Sequence, residues 1–447
     1  MQANDPASAA AAQPVAGAPE SAVADPPQAA RSGPGLAVLL ATVLLPFALA
    51  HFISYLYRTV NAVVYPDLAH DLGLAAGSLG LLTSAYFLTF AAAQLPIGVA
   101  LDRFGPRKVQ GPMLLVAAAG AVLFARAQSL GELVLARGMI GLGVAGSLMS
   151  AIKAGSLWLP QERLPLSTAI LLAVGGMGAM ASTTPMQWAL GLTDWRGAFL
   201  ALAAGTLLVS ALIFGVVPEH PGQKTQTRLR DMVRTVGELY RAWSFWRLAL
   251  YTLFAHATYM AVQGLWMAPW LRDVGHLARP QVAQVLFAGT VAMVAGSLFF
   301  GWITDAVQKY GFKPVLVCGT GTVLFLLFQL LMVLGPGTLA VHPLVVAVGF
   351  SFFGTATTMN YAIVAQSVPG HLTGRVSTSF NLLVFLLAFG VQWGLGLLIT
   401  QWVPHQGQYP QAAYRAALGL NLLLQLPGIV LWLGFRPWRR DCRTRQG

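Results

Sequence analysis

Long apolar runs that are rarely interrupted by charge most constrain how this chain can fold. A helix needs about 20 consecutive apolar residues to cross the hydrocarbon layer of a membrane. Strands of a membrane barrel would alternate in polarity over about ten residues, and these runs do not alternate. The twelve runs cover residues 36–65, 78–101, 108–127, 131–157, 165–191, 197–217, 247–271, 281–304, 314–335, 341–366, 376–402 and 412–435. The sequence therefore predicts an all-α membrane protein with twelve transmembrane helices.

The composition agrees with a protein that crosses the lipid bilayer many times. Of its 447 residues, 56% are hydrophobic and only 9% are charged, whereas soluble domains carry about 25% charged residues. A net charge of +12 is also found in proteins that bind nucleic acid, but here the basic residues lie between the apolar runs. That placement is typical of membrane-protein loops, so the expected partner is the bilayer and not nucleic acid.

The Lys and Arg residues of the loops predict the orientation in the membrane. If the N-terminus is cytoplasmic, 19 of the 27 Lys and Arg residues lie in inner segments and five in outer ones. Because basic loops stay on the cytoplasmic side, both termini are expected inside, in an inner membrane of the bacterial type. The two cysteines, Cys318 in an apolar run and Cys442 in a basic tail, imply no disulfide framework.

A long charged loop divides the chain into two halves of six runs each. The expected division is a disordered tail at 1–33, a six-helix bundle at 34–217, a central loop at 218–245, a second bundle at 246–435 and a basic tail at 436–447. The first tail has almost no large apolar residue and cannot bury enough surface to fold. No basic region precedes it, so it does not predict a secretory signal. For the central loop, a short surface helix and a disordered linker both remain open.

One short loop places a carboxylate and three cations between the second and third runs. Its residues are Gly98, Asp102, Arg103, Gly105, Arg107 and Lys108. A degraded copy lies between the eighth and ninth runs, with the same spacing from glycine to aspartate. The copy consists of Gly301, Asp305, Lys309, Gly311 and Lys313. Two copies in register indicate an internal repeat, whereas one copy alone is equally typical of an ordinary basic cytoplasmic loop.

The loop and its copy resemble the signature loops of the major facilitator superfamily. The resemblance implies that twelve transmembrane helices form two pseudo-symmetric six-helix bundles, which transport a solute by alternating access. It also implies that the carboxylate of Asp102 meets the start of the eleventh helix when the inner gate is shut. The residues to which the resemblance gives a gating role are Gly98, Asp102, Arg103, Gly105, Arg107, Arg137, Glu162, Arg163, Gly301 and Asp305. The fifth-run motif of many antiporters in the family is only partial here, which disfavours drug efflux.

Polar residues inside the runs are the candidates for a substrate site. None of the fifteen acidic residues lies in the centre of a run, whereas Arg58, Arg137 and Lys153 do lie inside runs. Each such cation costs at least about 2.5–3.5 kcal/mol at mid-membrane, so each is expected to face a polar interior. Arg137 and Lys153 lie near run ends, where reaching toward the interface is an equal alternative, and for Arg58 the alternative is that it reaches the outer interface. The helical stripe that contains Arg58 also includes His51, Ser54, Tyr55, Asn61 and Tyr65.

The seventh run carries a matching stripe that consists of His256, Tyr259, Gln263 and Trp266. In the superfamily, the first and seventh helices both line the central cavity. The expected substrate-binding residues are therefore Tyr55, Arg58, Asn61, Lys153, Tyr259, Gln263, Trp266, Asn360 and Tyr361. Further polar candidates are Tyr86, Gln94, Gln187, Thr357, Asn381 and Gln392. Core packing is the alternative for the aromatic rings, and hydrogen bonding between helices is the alternative for the single amides.

Glycines cluster in two of the runs. The fourth run contains several, among them Gly141 and Gly143, and the eleventh contains Gly390 and Gly394 in a GxxxG pattern. Because small residues let helix backbones approach closely, both runs are expected to pack tightly against neighbouring helices at these positions.

A cavity with buried cations and no buried carboxylate favours an anionic substrate. Arginine binds a carboxylate through two parallel hydrogen bonds. The chain resembles the organic-anion and nitrate branches of the superfamily more than its sugar or cationic-drug branches. His51 and His256 are the candidates for proton coupling, because histidine titrates near neutrality. A hydrogen-bonded packing role is the alternative for both histidines.

We therefore predict a monomeric secondary transporter of a small organic anion. No nucleotide motif, metal-ligand cluster or nucleophile triad occurs in the sequence, so no cofactor and no enzymatic activity are expected. Two other functions remain open. One is export of a hydrophobic drug or metabolite, which aromatic residues in the cavity would suit. The other is solute sensing without transport.

Overall fold

The computed structural model describes residues 36–219, 229–241, 243–336, 341–366 and 373–434, nearly all of them helical. Within these ranges, helical segments α1 to α12 correspond one to one to the predicted runs. In chain order they are α1 (Leu36–Leu39, Leu40–Leu44, Leu45–Thr59 and Asn61–Leu72), α2 and α3 (both within Ala76–Arg126), α4 (Leu130–Val144 and Ser147–Trp158), α5 (Leu164–Ala181 and Thr184–Leu192), α6 (Trp195–Val216), α7 (Trp243–Ala261, Val262–Trp266 and Met267–Asp273), α8 (Arg279–Lys309), α9 (Pro314–Leu334), α10 (Pro343–Gly354, Thr355–Met359 and Asn360–Gln366), α11 (Thr373–Ile399) and α12 (Gln411–Leu433). The tails predicted at 1–33 and 436–447 lie outside the described residues, as do residues 220–228 of the central loop.

Length and hydropathy show that these segments suit a membrane. Among the described residues, nine helices are long and apolar enough to cross it, and ten when α5, bent by 44°, is taken as one span. One of these nine helices, Ala76–Arg126, is 51 residues long and contains two predicted runs, 78–101 and 108–127. Its backbone leaves helical geometry between them, at Gly105. The remaining run is α7, which is helical from residue 243 to residue 273. The predicted all-α, multi-span fold is therefore confirmed.

The two signature loops both turn at a glycine in the left-handed region of backbone space. Gly105, between α2 and α3, has a φ of 78° and a ψ of 166°. Gly311, between α8 and α9, has a φ of 82°. A residue with a Cβ rarely adopts such a φ, so glycine is needed at both positions. The shared backbone geometry supports the internal repeat predicted from the sequence.

Glycines hold α4 close to its neighbours, as predicted, but those of the GxxxG pattern in α11 do not. A Cβ on Gly141 would lie only 2.5 Å from the carbonyl oxygen of Tyr86 in α2. In contrast, apart from the adjoining backbone of α11 itself, no atom of the described residues lies within 4 Å of the Cβ position on Gly390 or Gly394. The prediction for α11 is therefore wrong, because its close approach occurs on another face. There, a Cβ on Gly396 would lie 2.7 Å from the carbonyl oxygen of Ala76.

Part of the central loop forms an amphipathic helix, Leu229–Arg241, which we call the linker helix. The Tyr240 hydroxyl donates a hydrogen bond to the carbonyl oxygen of Ser379 in α11 at 2.8 Å, and its ring packs against Phe245 of α7. Burial raises the pKa of Tyr240 to about 12, so the hydroxyl stays protonated at neutral pH. Of the two alternatives for the loop, a surface helix is therefore correct for residues 229–241.

Irregular turns interrupt the helices that carry the predicted substrate residues. α7 contains a π-helical turn at Val262–Trp266, and α10 contains a 3₁₀ turn at Thr355–Met359, directly before Asn360. α1 has a π-helical turn at Leu40–Leu44. Such interruptions often accompany functional sites, and here two of them contain or directly precede predicted binding residues.

Candidate functional site

Arg58 of α1 lies between the two bundles, surrounded by aromatic rings from three helices. Its guanidinium carbon is 4.4 Å from the ring centroid of Tyr55, 5.7 Å from that of Phe90 in α2 and 5.4 Å from that of Phe385 in α11. The negative faces of these rings attract the cation. Its Nε has no hydrogen-bond partner, and no carboxylate of the described residues lies within ion-pair distance of it.

The two predicted histidines lie near Arg58, one in each bundle. His51 is 3% exposed and stands edge to face against Tyr55, with ring centroids 5.0 Å apart. Neither ring nitrogen of His51 has a partner among the described residues. Nδ1 of His256 in α7 lies 2.8 Å from Oγ1 of Thr357 in α10. Tyr55 contacts both His51 and Arg58, and the His256 ring stands edge to face against Tyr361, with ring centroids 5.6 Å apart.

Of the predicted substrate-binding residues of α7, Gln263 and Trp266 form hydrogen bonds to other helices, whereas the side chain of Tyr259 forms none within the described ranges. Tyr259 is buried, and its hydroxyl has no partner in the part of the chain that the structure describes. Gln263 accepts a hydrogen bond from the Ser351 hydroxyl at 2.9 Å. The indole N–H of Trp266 donates to the carbonyl oxygen of Gln392 at 2.9 Å. Gln263 and Trp266 therefore hold α7 against α10 and α11.

A chain of hydrogen bonds joins the bundles beside Arg58. The Tyr361 hydroxyl donates to Oδ1 of Asn381 at 2.7 Å, and Nδ2 of Asn381 donates to Oε1 of Gln94 at 2.9 Å. Gln94 in turn donates to the carbonyl oxygen of Phe90 at 3.2 Å. At the same crossing of α2 and α11, Phe90 stacks on Phe385 with ring centroids 4.2 Å apart. Several of the polar candidates are thus hydrogen-bonded between helices, which was their alternative role.

Two predicted asparagines lie on the helices around Arg58. Asn61 is 1% exposed and lies one turn after Arg58 on α1; its Nδ2 donates to Oγ1 of Thr83 at 3.1 Å. Asn360 is fully buried and begins the last helical part of α10, next to Tyr361. Both therefore lie on helices that line the region between the bundles.

Arg137 of α4 is fully buried inside the first bundle. One guanidinium nitrogen donates to the carbonyl oxygen of Tyr57 at 2.9 Å, and the guanidinium carbon lies 5.4 Å from the ring of Tyr86. These contacts tie α4 to α1 and α2. They agree with the structural alternative for Arg137, and its gating role stays a prediction.

Lys153 of α4 pairs with the signature loop and does not lie beside Arg58. Its Nζ lies 2.9 Å from Oδ1 of Asp102, and the two side chains are 36% and 33% exposed. Phe90, which contacts Arg58, comes twelve residues before Asp102 on α2, or about 18 Å by the rise of a helix. We therefore remove Lys153 from the predicted substrate-binding set. Its charge is compensated by Asp102, so it is not available to a solute.

The other cations of the signature loop bind the end of α6. Arg107 donates a hydrogen bond to the carbonyl oxygen of Phe214, and Nζ of Lys108 lies 3.3 Å from a carboxylate oxygen of Glu219. Cations are stabilised at the last turn of a helix, where carbonyl groups lack partners within the helix. The guanidinium of Arg103 packs over the ring of the next residue at 5.1 Å. All these contacts lie inside the first bundle.

The remaining predicted gating residues are accessible. Glu162 and Arg163 are exposed in the turn Gln161–Arg163 between α4 and α5, and Gly98 is half-buried. Gly301 and Asp305 are exposed on α8. Their gating roles stay predictions, as does the contact of Asp102 with the start of α11.

An ion pair that sequence reasoning missed joins the bundles at the end opposite the signature loops, which we call the far end. The guanidinium of Arg279, at the start of α8, donates to both carboxylate oxygens of Asp67 near the end of α1. The distance from Nη1 of Arg279 to Oδ1 of Asp67 is 2.8 Å. Its Nε donates to Oε1 of Gln187 in α5 at 3.1 Å. The partners are 212 positions apart, and each looks like an ordinary loop charge, so no sequence signal pairs them.

Further polar contacts close the far end. Arg272 of α7 donates to the Tyr65 hydroxyl of α1 at 3.1 Å. The backbone N–H of Gly77, in the first turn of α2, donates to Oγ1 of Thr400 after α11 at 2.7 Å. The first N–H groups of a helix have no partner within the helix, so the second bundle caps the start of α2. The far end is thus held by polar bonds across the bundles.

Membrane-spanning helical bundles that meet around a buried polar site and are bonded across one end are the architecture of a membrane transporter. Residues 47–392 match the profile of the Major Facilitator Superfamily. Because the match covers most of the chain, the protein belongs to this family. Proteins of the family are transporters, so the chain is a transporter and not an enzyme.

Two relatives and a solved structure show how closely the chain matches known members. The "Probable sulfoacetate transporter" of Cupriavidus necator is 27% identical over 349 residues, which cover 74% of this chain and 80% of the relative. The "Galacturonate transporter" of Dickeya chrysanthemi is 24% identical and covers 64% of this chain and 87% of the relative. The crystal structure of a bacterial homologue of the lysosomal transporter Spinster, inward-facing and unoccupied, matches with a TM-score of 0.72 at 16% identity over 90% of this chain and 99% of that one. These matches confirm the predicted family and fold.

We expect Asp102→Asn to slow transport more than Lys153→Met does. Both variants break the same partly exposed ion pair, so both should lower the free energy of unfolding by less than about 1 kcal/mol. Only Asp102→Asn would also lose the predicted contact with the start of α11. The measurement is the exchange rate in proteoliposomes, with labelled galacturonate, the solute in the name of one relative, as the trial solute, together with the melting temperature of each variant.

Lys108→Met is the matched control, because Lys108 lies in the same loop as Asp102 but pairs with the more exposed Glu219 after α6. Equal slowing in the Asp102 and Lys153 variants would show that their mutual pair is the whole role of Asp102. Wild-type exchange in Asp102→Asn would remove the signature loop from gating.

Proposed function

We propose that the protein is a secondary transporter that moves a small organic anion by alternating access. The observation that carries the proposal is Arg58, whose guanidinium lies between the bundles with no carboxylate of the described residues in reach. A charge taken out of water without a counter-ion is unfavourable. A bound anion would supply the missing charge, and a carboxylate matches the planar fork of the guanidinium.

Unpartnered polar atoms near Arg58 support a solute site at this position. Both ring nitrogens of His51, the hydroxyl of Tyr259 and Nε of Arg58 lack partners among the described residues. Buried polar groups are normally hydrogen-bonded, and a solute with its water would satisfy these. The proposed substrate contacts are Tyr55, Arg58, Asn61, Tyr259, Gln263, Trp266, Asn360 and Tyr361.

The relatives support an acid as the substrate class. Sulfoacetate and galacturonate, the solutes in the names of two relatives, are both organic anions. The rings of Tyr55, Phe90 and Phe385 would also suit a hydrophobic drug, but the charge of Arg58 would repel a cationic one. An organic anion satisfies both the charge and the polar atoms.

Arg58→Ala is expected to weaken binding of galacturonate and sulfoacetate by at least about tenfold, the effect of losing a charged hydrogen bond. Arg58→Lys should retain part of the affinity, because lysine keeps the charge but lacks the planar fork. Calorimetric titration of the purified variants measures both effects. Arg126→Ala is the matched control, since it removes one positive charge from an exposed position at the end of α3.

Three results would contradict this proposal in different ways. Unchanged affinity in Arg58→Ala would disprove the anion site. Binding of amphipathic cations in place of acids would favour drug export. Binding without counterflow in proteoliposomes would favour a solute sensor.

Alternating access requires the far end to open, and the Asp67–Arg279 pair is the proposed latch. Both side chains are partly exposed, at 29% and 38%, so the pair is weak enough to break in each cycle. From the distribution of Lys and Arg we propose that the far end faces outward, with both termini in the cytoplasm of a bacterial-type inner membrane. The structure described here would then be closed to the outside.

Asp67→Asn is expected to open the far end more often. Ala268 of α7 is buried and lines a cavity of about 80 Å³ at this end. Arg272 and Arg279 line the same cavity. With both native cysteines replaced, Ala268→Cys should react several-fold faster with an external, membrane-impermeant maleimide when Asp67→Asn is also present.

Asp71→Asn is the control, because Asp71 accepts a hydrogen bond from Trp195 within the first bundle, at 2.8 Å. A labelling rate that Asp67→Asn leaves unchanged would exclude the latch. Labelling only in inside-out vesicles would reverse the orientation.

Proton coupling through the histidines is the last part of the proposal. Neither ring nitrogen of His51 has a partner among the described residues, and Tyr55 packs against both His51 and the cation of Arg58. An anion bound to Arg58 would offset the repulsion between the two cations and so favour a proton on His51. Release of the anion would reverse this, which links the two binding events in both directions.

His51→Gln is expected to abolish accumulation of galacturonate driven by an inward proton gradient while sparing exchange. His256→Gln should have a smaller effect, because His256 already has Thr357 as a partner. Uptake into proteoliposomes with an imposed pH gradient measures both. His70→Gln is the exposed control. Gradient-driven accumulation that survives in both variants would make the histidines packing residues.

A further inference from the structure

The face of α11 that contacts Arg58 continues to a polar side chain that none of the contacts above uses. Asn381, Phe385, Ala388 and Gln392 are spaced by three and four, so they share one face of the helix. Phe385 lies 5.4 Å from the guanidinium carbon of Arg58. Gln392 follows two turns later, about 10 Å farther along α11 toward the far end.

The Gln392 side chain is fully buried, and neither its Nε2 nor its Oε1 has a partner among the described residues. Other amides near Arg58 differ, since Asn381 and Gln94 hydrogen-bond to each other at 2.9 Å. A buried amide without partners is unfavourable. Hydrogen bonding between helices therefore accounts for Asn381 and Gln94, but not for the Gln392 side chain.

Gly264 of α7 lies next to this amide. The atoms nearest to a Cβ on Gly264 would be the Phe87 ring, the carbonyl oxygen of Arg58 and Oε1 of Gln392, at 3.8, 3.9 and 4.0 Å. These are ordinary van der Waals distances, so the missing side chain of Gly264 leaves room for a methyl-sized group beside the amide. Gly264 belongs to the π-helical turn of α7, and such turns often accompany binding sites.

Asn61 offers a second unpartnered acceptor in the same region. Its Nδ2 binds Thr83 of α2 at 3.1 Å, while its Oδ1 has no partner within the described ranges. The backbone of Gln392 contacts α2 one turn before Thr83, because the carbonyl oxygen of Gln392 lies 3.0 Å from the Cβ position of Gly80. Asn61 and Gln392 therefore both lie against the same part of α2, on the far-end side of the Arg58 guanidinium.

We propose that Gln392, with Asn61, forms a hydroxyl-binding subsite and that the transported anion is a hydroxylated organic acid. The proposal rests on the proposed function, in which Arg58 binds the acid group. A hydroxyl both donates and accepts a hydrogen bond, which matches the free N–H and C=O of the amide and the free Oδ1 of Asn61. A compact ion such as nitrate would not extend from Arg58 to Gln392, whereas an acid several carbons long would.

A matched pair of six-carbon acids tests this subsite: gluconate carries hydroxyls and hexanoate carries none. Wild type should bind gluconate at least about tenfold more tightly, because a site built for a hydroxyl rejects the analogue that lacks it. Gln392→Leu should remove that preference by weakening gluconate about tenfold, with hexanoate unchanged or tighter. Calorimetric titration of the full-length purified protein gives the ratio of the two affinities.

The ratio is measured within each variant, so partial unfolding does not alter it, and Gln392→Met is a second apolar substitution if Gln392→Leu does not fold. Gln401→Leu is the matched control, an exposed glutamine at the end of the same helix. It should keep the wild-type ratio.

The outcomes separate this proposal from the proposed function. If Arg58→Ala loses both acids while both Gln392 variants keep the preference for gluconate, the subsite is disproved and the anion transporter stands. Equal affinity of wild type for the two acids would also disprove the subsite. If wild type binds neither acid, or if Arg58→Ala binds both normally, the proposed function fails and the subsite fails with it.

Discussion

The uncompensated charge of Arg58 is the constraint on which the rest of the site depends. An apolar membrane helix tolerates a cation only where other groups stabilise it. Here Tyr55, Phe90 and Phe385 turn their rings toward the guanidinium from both bundles. Attraction to aromatic rings lowers the cost of the charge without neutralising it. The bundles are therefore held around a cation to which the described residues supply no carboxylate, and the proposed function assigns that role to a bound anion.

Contacts within a bundle differ in kind from contacts between bundles. Inside the first bundle, Arg137 is fully buried and α4 approaches α2 through glycines such as Gly141. Between the bundles, the far end is held by partly exposed polar bonds, chiefly that of Asp67 with Arg279. Exposed ion pairs are individually weak. This difference supports the proposed alternating access, in which each bundle remains intact while the bonds between bundles break and form again.

The polar side chains within the helices fall into two groups, those that hydrogen-bond to other residues and those with polar atoms that have no partner among the described residues. Asn381 and Gln94 bond to each other and hold helices together. His51, Tyr259 and Gln392 are buried with free polar atoms among the described residues. Because a buried free donor or acceptor is unfavourable, such groups persist where a ligand or water satisfies them. The same residue types thus serve packing in one place and, in our proposal, solute binding in another.

The membrane-spanning helices, the repeat with Gly105 and Gly311 at its turns, and the three cations inside apolar runs could all be predicted from the sequence, because apolar length, the glycine of a tight turn and charge are local properties. The sequence also indicated Arg58 and both histidines, since helical periodicity places them on the cavity-facing stripes. Only the tertiary structure assigned Lys153 to Asp102, paired Asp67 with Arg279, and separated the free amide of Gln392 from the bonded one of Asn381. These contacts join residues far apart in the chain. Which partner a polar group finds depends on how helices cross, and that is decided by packing over the whole bundle.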